Sequence, residues 1–424
     1  MHVAANILAV GALVFIAHAL TALFSRARVP DVLLLTVIGI LLGPVLHLVK
    51  PSNFGSVGPV FAAVTLVILL FEAGLSLDLD VIRGAIRPTL LLTITNFLLT
   101  IGAVSIAAHF LTGMSTHLVL MLGAIIGSTS PAVIVPLTKK LNMAQSSKTT
   151  LFLESAISDV LSIVVTIGLL NSSHLRQVRI GSMVGQIVAS VTIAALAGAG
   201  SALIWSALLH RVRRLENSIF TTPAFVFVLF GVVELLGFSG YIASVTFGAV
   251  LGNIETFQAG YWMNAFLPSE AITLNEPERV FLSEVVFLLK TFFFVYVGVS
   301  MQLSSLQTAY TALALTAIVF AMRIPAAWIG LDRSTPVHDA AFVATMSPKG
   351  LAAVVLASMP LERHLPGAEN LQALTYWMVF FSIVFTSILS FLIERTPVAR
   401  VYCALFRRHF GRVTSAAAPV AMKS

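Results

Sequence analysis

Charge is scarce in this chain. Of its 424 residues only 10% are Asp, Glu, Lys or Arg, against about 25% in an ordinary soluble domain. That excludes a soluble enzyme and a nucleic-acid-binding protein. Cysteine is almost absent. The single Cys403 can form no intrachain disulfide, so the fold depends on no oxidising compartment and offers no thiolate metal centre. A Walker-type glycine loop is missing, as is the H-E-x-x-H spacing of a helix-borne zinc site, and nothing calls for a cofactor. Apolar residues are what the chain has in quantity: 58% are hydrophobic and the mean hydropathy is +0.97. Many runs reach the ~20 residues that cross hydrocarbon as a helix. The composition predicts an all-α polytopic membrane protein.

Thirteen spans are predicted, at about 4–24, 31–49, 56–76, 88–111, 116–138, 147–171, 181–209, 218–237, 239–252, 280–301, 308–330, 338–359 and 371–393. The first is too long for a signal-peptide core and its positive charges follow it, so it is expected to be retained. The stretch 253–279 is mildly amphipathic and is expected to lie along the inner interface. Residues 395–424 form a short basic tail. With the N-terminus outside, 18 of the 25 Lys and Arg fall in inner loops and the tail, and 4 fall in outer loops. Such a bias predicts a multi-pass protein of the inner (plasma) membrane with its C-terminus in the cytoplasm. The three remaining cations, Lys290, Arg323 and Lys349, lie inside apolar spans.

Two segments echo each other. FEAGLSL around Gly74 is matched by VYVGVSM around Gly298. Two spans after each comes a Ser-Pro inside an apolar run, at Pro131 and at Pro348. Proline lacks a backbone donor and clashes with the preceding turn, so each breaks its helix. Seven spans separate the copies, and an odd offset means opposite orientation in the membrane. Broken helices at matching places in inverted halves point to the midplane site of a secondary transporter.

Five acids lie within spans: Glu72, Glu154, Asp159, Glu234 and Glu284. A charge at the bilayer centre costs ~3 kcal/mol or more, so each must be paired, neutralised or hydrated. Glu234 and Glu284 are near span ends and read as structural or interfacial. Glu154 and Asp159 are mid-span and about 140° apart on the helix, so one partner cannot serve both. Arg323 stays protonated when buried and must meet an acid, most simply Glu154. Lys349 follows Pro348 and is expected to offset helix C-terminal dipoles where the breaks cross. Lys290 either snorkels inward or pairs with Glu72 or Glu284. Asp159 is then the carboxylate left for a mobile ion. A small cation and a proton would compete for it, with Ser155, Ser130 and an unwound carbonyl near Thr129 as further oxygen ligands.

At these residues the sequence resembles the NhaP-type monovalent cation/proton antiporters, relatives of the animal Na⁺/H⁺ exchangers. The resemblance covers about 25–395 and rests on RVPDVLLLTVIGILLGP, FEAGL, GSTSPAVIVPL, ESAISD, FSGYIASVTFGAVLGN, LLKTFFFVYVGVSM, Arg323 and the Pro-Lys-Gly at 348–350. It implies an NhaA-like antiporter fold and a homodimer. The core spans would be about 56–171 and 280–393, and the interface spans about 4–49 and 181–252. It also implies an ion at Asp159 helped by Ser155, the Thr129 carbonyl and Glu72, with Glu154 paired to Arg323. Two positions depart from the family pattern: Ser158 stands where electroneutral members have Asn, and Ser130 where the family has Asp. No second carboxylate precedes Asp159, which favours one proton per cation.

Three other classes make different demands. A K⁺-selective efflux antiporter would share every feature above. An organic-anion or ion symporter of the same architecture would need more exposed half-helix N-termini and fewer buried acids. A membrane aspartyl protease would need two facing aspartates, and only Asp159 is deep in a span.

Overall fold

The computed structural model describes residues 8, 11–19, 31–50, 57–76, 79–171, 180–214, 218–255, 273–301, 305–396 and 398–406. Among them the secondary structure is helical, without strands. Each predicted span has helix at its place: α1 (11–19), α2 (Asp31–Ile40, continued by a π-turn over Leu41–Val45), α3 (Val57–Leu75), α4 (Leu79–Thr112), α5 (Thr116–Ile126) with α6 (Pro131–Lys140), α7 (Gln145–Asn171), α8 (Ile180–Val212), α9 (Thr221–Leu235), α10 (Gly240–Gly252), α11 (Glu276–Val299), α12 (Leu306–Gly330), α13 (Val337–Thr345) with α14 (Leu351–Glu362), and α15 (Ala368–Arg395). Seven described helices are long and apolar enough to cross a membrane whole, and shorter apolar helices supply the rest. The amphipathic segment predicted at 253–279 lies mostly outside the described residues.

Two predicted spans are the broken ones. The first stops at Ile126, and five residues later Pro131 opens α6, where its missing N–H costs nothing. The second stops at Thr345 and restarts at Leu351, with Pro348 in the gap. The gaps cross in contact: the Ser130 N–H donates to the Pro348 carbonyl at 2.7 Å. Gly350 sits on Ser130 so closely that an added Cβ would lie 2.5 Å from the Ser130 Cβ.

The inverted repeat is also visible in the packing. Gly298 of α11 meets Gly39 of α2, with an ideal Cβ on either standing 2.8 Å from the other's Cα. Gly74 of α3 meets Gly248 of α10 in the same way, at 3.1 and 3.2 Å. Exchanging the two halves of the chain converts the α2–α11 contact into the α10–α3 contact. Only glycine lets helix backbones approach this closely. The glycines of the two echoed segments are therefore packing points. α4 lies along α12, Gly330 resting on the backbone of Leu92.

The basic tail holds one feature its composition did not signal, the helix α16 (Val398–Phe406), packed on α13 and α15. Tyr402 and Phe406 fall one helical turn apart, and Phe406 is fully buried, edge-on to Trp328. Aromatic burial outweighs the polar character of the flanking arginines.

Candidate functional site

α7 carries the charged residues and α12 faces it. The Arg323 guanidinium meets Glu154 in a fork, Nη1 to Oε1 at 2.6 Å and Nη2 to Oε2 at 2.7 Å, with both side chains 0% exposed. Its Nε donates to the Val343 carbonyl at 3.0 Å, in the last turn of α13. One cation thus joins the middle of α7 to the half-helix before the second break. There it also neutralises carbonyls that point into the gap. A charge buried this deeply is tolerable only because both faces of the fork are satisfied.

The first break is held by hydroxyls. The Thr129 N–H donates to Ser158 Oγ at 3.0 Å, and the Thr129 hydroxyl donates to Glu154 Oε1 at 3.3 Å. Ser158 in turn donates to the Ser155 carbonyl at 3.1 Å. Thr129 therefore ties the unwound segment to the ion pair and to α7 at once. Asp159, one residue beyond Ser158, is 5% exposed. It hydrogen-bonds the Ser128 side chain and lies within Coulombic reach of Lys349.

Lys349 holds the two breaks together. Its Nζ donates to the Ser128 carbonyl at 2.8 Å and to Ser347 Oγ at 3.0 Å, and its own N–H donates to Ser382 Oγ at 2.8 Å. Ser128 follows the end of α5, so the ammonium sits where that helix's carbonyls are unsatisfied. The result is a carboxylate, hydroxyls and unwound carbonyls beside a buried ammonium, all 5% exposed or less. A hard oxygen set around one carboxylate suits a small cation or a proton.

Other candidates stand apart. The Ser155 hydroxyl donates to the Phe152 carbonyl at 2.7 Å, bonding to its own helix as serines in apolar helices do. The Ser130 hydroxyl lies against Gly350. Glu72 is half-buried on α3, its carbonyl receiving the Ser76 hydroxyl, and Lys290 is half-buried on α11. Glu234 accepts the Gly240 N–H at 2.8 Å at the start of α10, and Glu284 is exposed. The residues the charge pattern did not single out are Ser128, Ser347, Ser382 and the Val343 carbonyl. Serines are common in membrane helices. The one signal for Ser128 and Ser347 is that they flank the paired prolines.

The family described as "Sodium/hydrogen exchanger, transmembrane" matches residues 11–395. The chain belongs to this family. It is 22% identical over 374 residues to Na(+)/H(+) antiporter 1 of Methanocaldococcus jannaschii, covering 82% of this chain and 81% of that one. It is 25% identical over 415 residues to the K(+)/H(+) antiporter NhaP of Alkalimonas amylolytica, covering 93% and 66%. Against the K(+)/H(+) antiporter NhaP2 of Shewanella oneidensis the identity is 24% over 375 residues, covering 86% and 62%. The chain thus spans about two thirds of the length of the two K(+)/H(+) relatives. In fold it is similar to the sodium proton antiporter MjNhaP1 of M. jannaschii solved at pH 8, with a TM-score of 0.71, 18% identity, and coverage of 92% and 98%.

Proposed function

We propose that this exchanger exports or imports a monovalent cation, Na⁺ or alternatively Li⁺ or K⁺, against a proton, with both competing for Asp159. The observation that carries the reading is the contrast between the two mid-span acids of α7. Glu154 is held in a fork by Arg323, while Asp159 faces a hydroxyl and the unwound segment. A site that takes either ion, reached alternately from the two faces, gives obligatory exchange without ATP. Each exchange carries one proton for one cation, because a single mobile carboxylate serves both. Ser128 and the carbonyls at the first break supply further oxygens, and Thr129 and Ser158 fix the break's geometry. Lys349 supplies a fixed positive charge, while Glu72 and Lys290 act from the flanking helices α3 and α11. The protein works as a homodimer in the inner membrane, N-terminus outside and C-terminus cytoplasmic, an orientation supported by the 18 to 4 distribution of Lys and Arg.

The test is cation-driven proton flux in proteoliposomes with a preset pH gradient. Addition of Na⁺, Li⁺ or K⁺ should dissipate the gradient, and Asp159→Asn should abolish the response. A folded protein that answers to no monovalent cation would refute antiport. Exchange whose rate follows a clamped membrane potential would refute the one-to-one stoichiometry.

A further inference from the structure

The hydroxyls of α7 and α15 repeat. One helix after the first break, α7 reads Ser162, Ile163, Val164, Val165, Thr166; one helix after the second, α15 reads Ser382, Ile383, Val384, Phe385, Thr386. Each serine is bonded into its own break. Ser162 Oγ donates to the Ala124 carbonyl at 2.9 Å, in the last turn of α5, and Ser382 Oγ accepts the Lys349 N–H. Each threonine stands one turn further on the same face. Both are 0% exposed, and neither hydroxyl has a hydrogen-bond partner. Ser390, another turn along α15, is likewise buried without a partner. Four other buried threonines, Thr65, Thr93, Thr316 and Thr375, turn back onto their own helix and donate to the carbonyl four residues earlier, while Thr89 and Thr100 on α4 and Thr291 on α11 are also buried without a partner.

The two ladders leave the crossing in opposite directions. His117, at the start of α5, contacts the Leu169 carbonyl near the end of α7 at 2.7 Å. An ideal Cβ on Gly367, which caps the start of α15, would lie 3.0 Å from the Leu118 side chain, also at the start of α5. So α7 ends and α15 begins at one face of the bundle. Thr166 lies toward that face from the crossing, and Thr386 and Ser390 lie toward the other.

A polar group sealed in an apolar interior without a partner is costly, and ordered water is the usual partner that removes the cost. We propose that Ser162 and Thr166 on α7, and Ser382, Thr386 and Ser390 on α15, are two water-binding ladders that bring water and protons to the crossed breaks from opposite faces. On α7 the ladder ends one turn from Asp159, and on α15 it ends at Lys349, with Ser128 touching both. In each hop a water or hydroxyl accepts one proton and passes another to its neighbour, so the chain is restored and only the proton has moved. Obligatory exchange requires that only one ladder be continuous at a time, the one on the face to which the site is open. The assignment of proton traffic rests on the antiport reading; the presence of water does not.

Hydroxyl-radical labelling by an X-ray pulse, read by mass spectrometry on the full chain in nanodiscs, tests it, because labelling marks buried side chains that touch water. Side chains around Thr166 and Thr386 should be labelled in the wild type despite their burial. Thr386→Val should lower labelling around 386 at least fivefold and leave that around 166 unchanged, Thr166→Val should do the reverse, and Thr→Ser at either position should keep both. In proteoliposomes each Val variant should slow cation-driven proton flux about tenfold with the apparent cation constant unchanged. No labelling near either threonine in the wild type overturns the proposal, and that result needs no variant to fold. Labelling lost in the double Val variant with flux at the wild-type rate overturns the proton role. Labelling as expected in a protein without cation-driven flux would leave the ladders standing and count against antiport instead.

Discussion

At the first break, between α5 and α6, the unwound segment is stitched by neutral hydroxyls: Thr129 to Ser158 and Glu154, and Ser128 to Asp159. At the second, between α13 and α14, the corresponding place holds an ammonium, Lys349, and the flanking half-helix ends on the Arg323 guanidinium. The backbone plan is the same in both, with a Ser-Pro inside an apolar span, gaps in contact, and glycine contacts in matching helices. The chemistry differs because two identical acidic breaks would accumulate like charge at the midplane, and two basic breaks would repel a cation. One half therefore offers oxygens and the other fixed positive charge. On the antiport proposal, inverted symmetry would supply two access routes and the broken chemical symmetry would leave one ion site.

The comparison is broken most severely at Arg323. Arg323→Ala leaves Glu154 buried and unpaired and should cost about 3–5 kcal/mol of stability, measured as loss of folded protein in denaturant. Glu154→Gln in the same chain should recover part of that loss. If the two changes simply add, the pair is not what joins α7 to the second break. A smaller effect is expected where the gaps touch. Gly350→Ala puts a methyl into Ser130 and should cost about 1–3 kcal/mol by overpacking, with Ser130→Gly relieving it. Unchanged stability in Gly350→Ala would mean the gaps separate readily. The smallest expected effect is at Lys349, whose ammonium also bonds Ser128 and Ser347 across the breaks. Lys349→Gln removes the ammonium that opposes a second cation beside Asp159, and should tighten the apparent cation constant about tenfold, or about 1.4 kcal/mol, in binding measurements. A weaker constant would assign Lys349 a direct part in holding the ion's oxygen ligands.

Several of these features are legible in the sequence because burial leaves few choices. A guanidinium seven residues from the end of an apolar helix has to find a carboxylate, and the mid-span acid it meets is Glu154. The breaks are announced by Pro131 and Pro348, and the inverted repeat by Gly74 and Gly298, since proline and glycine act on the backbone whatever surrounds them. Hydroxyls are different. Ser128, Ser130 and Ser155 look alike along the chain, and Ser128 and Ser155 both donate to a carbonyl three residues earlier, yet only Ser128 also meets Asp159, while Ser130 faces Gly350. A serine's partner depends on rotamer and on which helix packs opposite, and neither is written in spacing. For the same reason the helix α16 is hidden by the arginines around it, although Tyr402 and Phe406 already mark a buried face.

The central claim is that one carboxylate, Asp159, holds either the proton or the cation. Isothermal titration of the purified protein with Na⁺ and with K⁺, repeated in buffers of different ionisation enthalpy, counts the protons released on binding. The account predicts about one proton displaced per bound cation at a pH where the empty site is protonated, and neither binding nor release in Asp159→Asn. Cation binding without proton release at every pH, or undiminished release in Asp159→Asn, would contradict it.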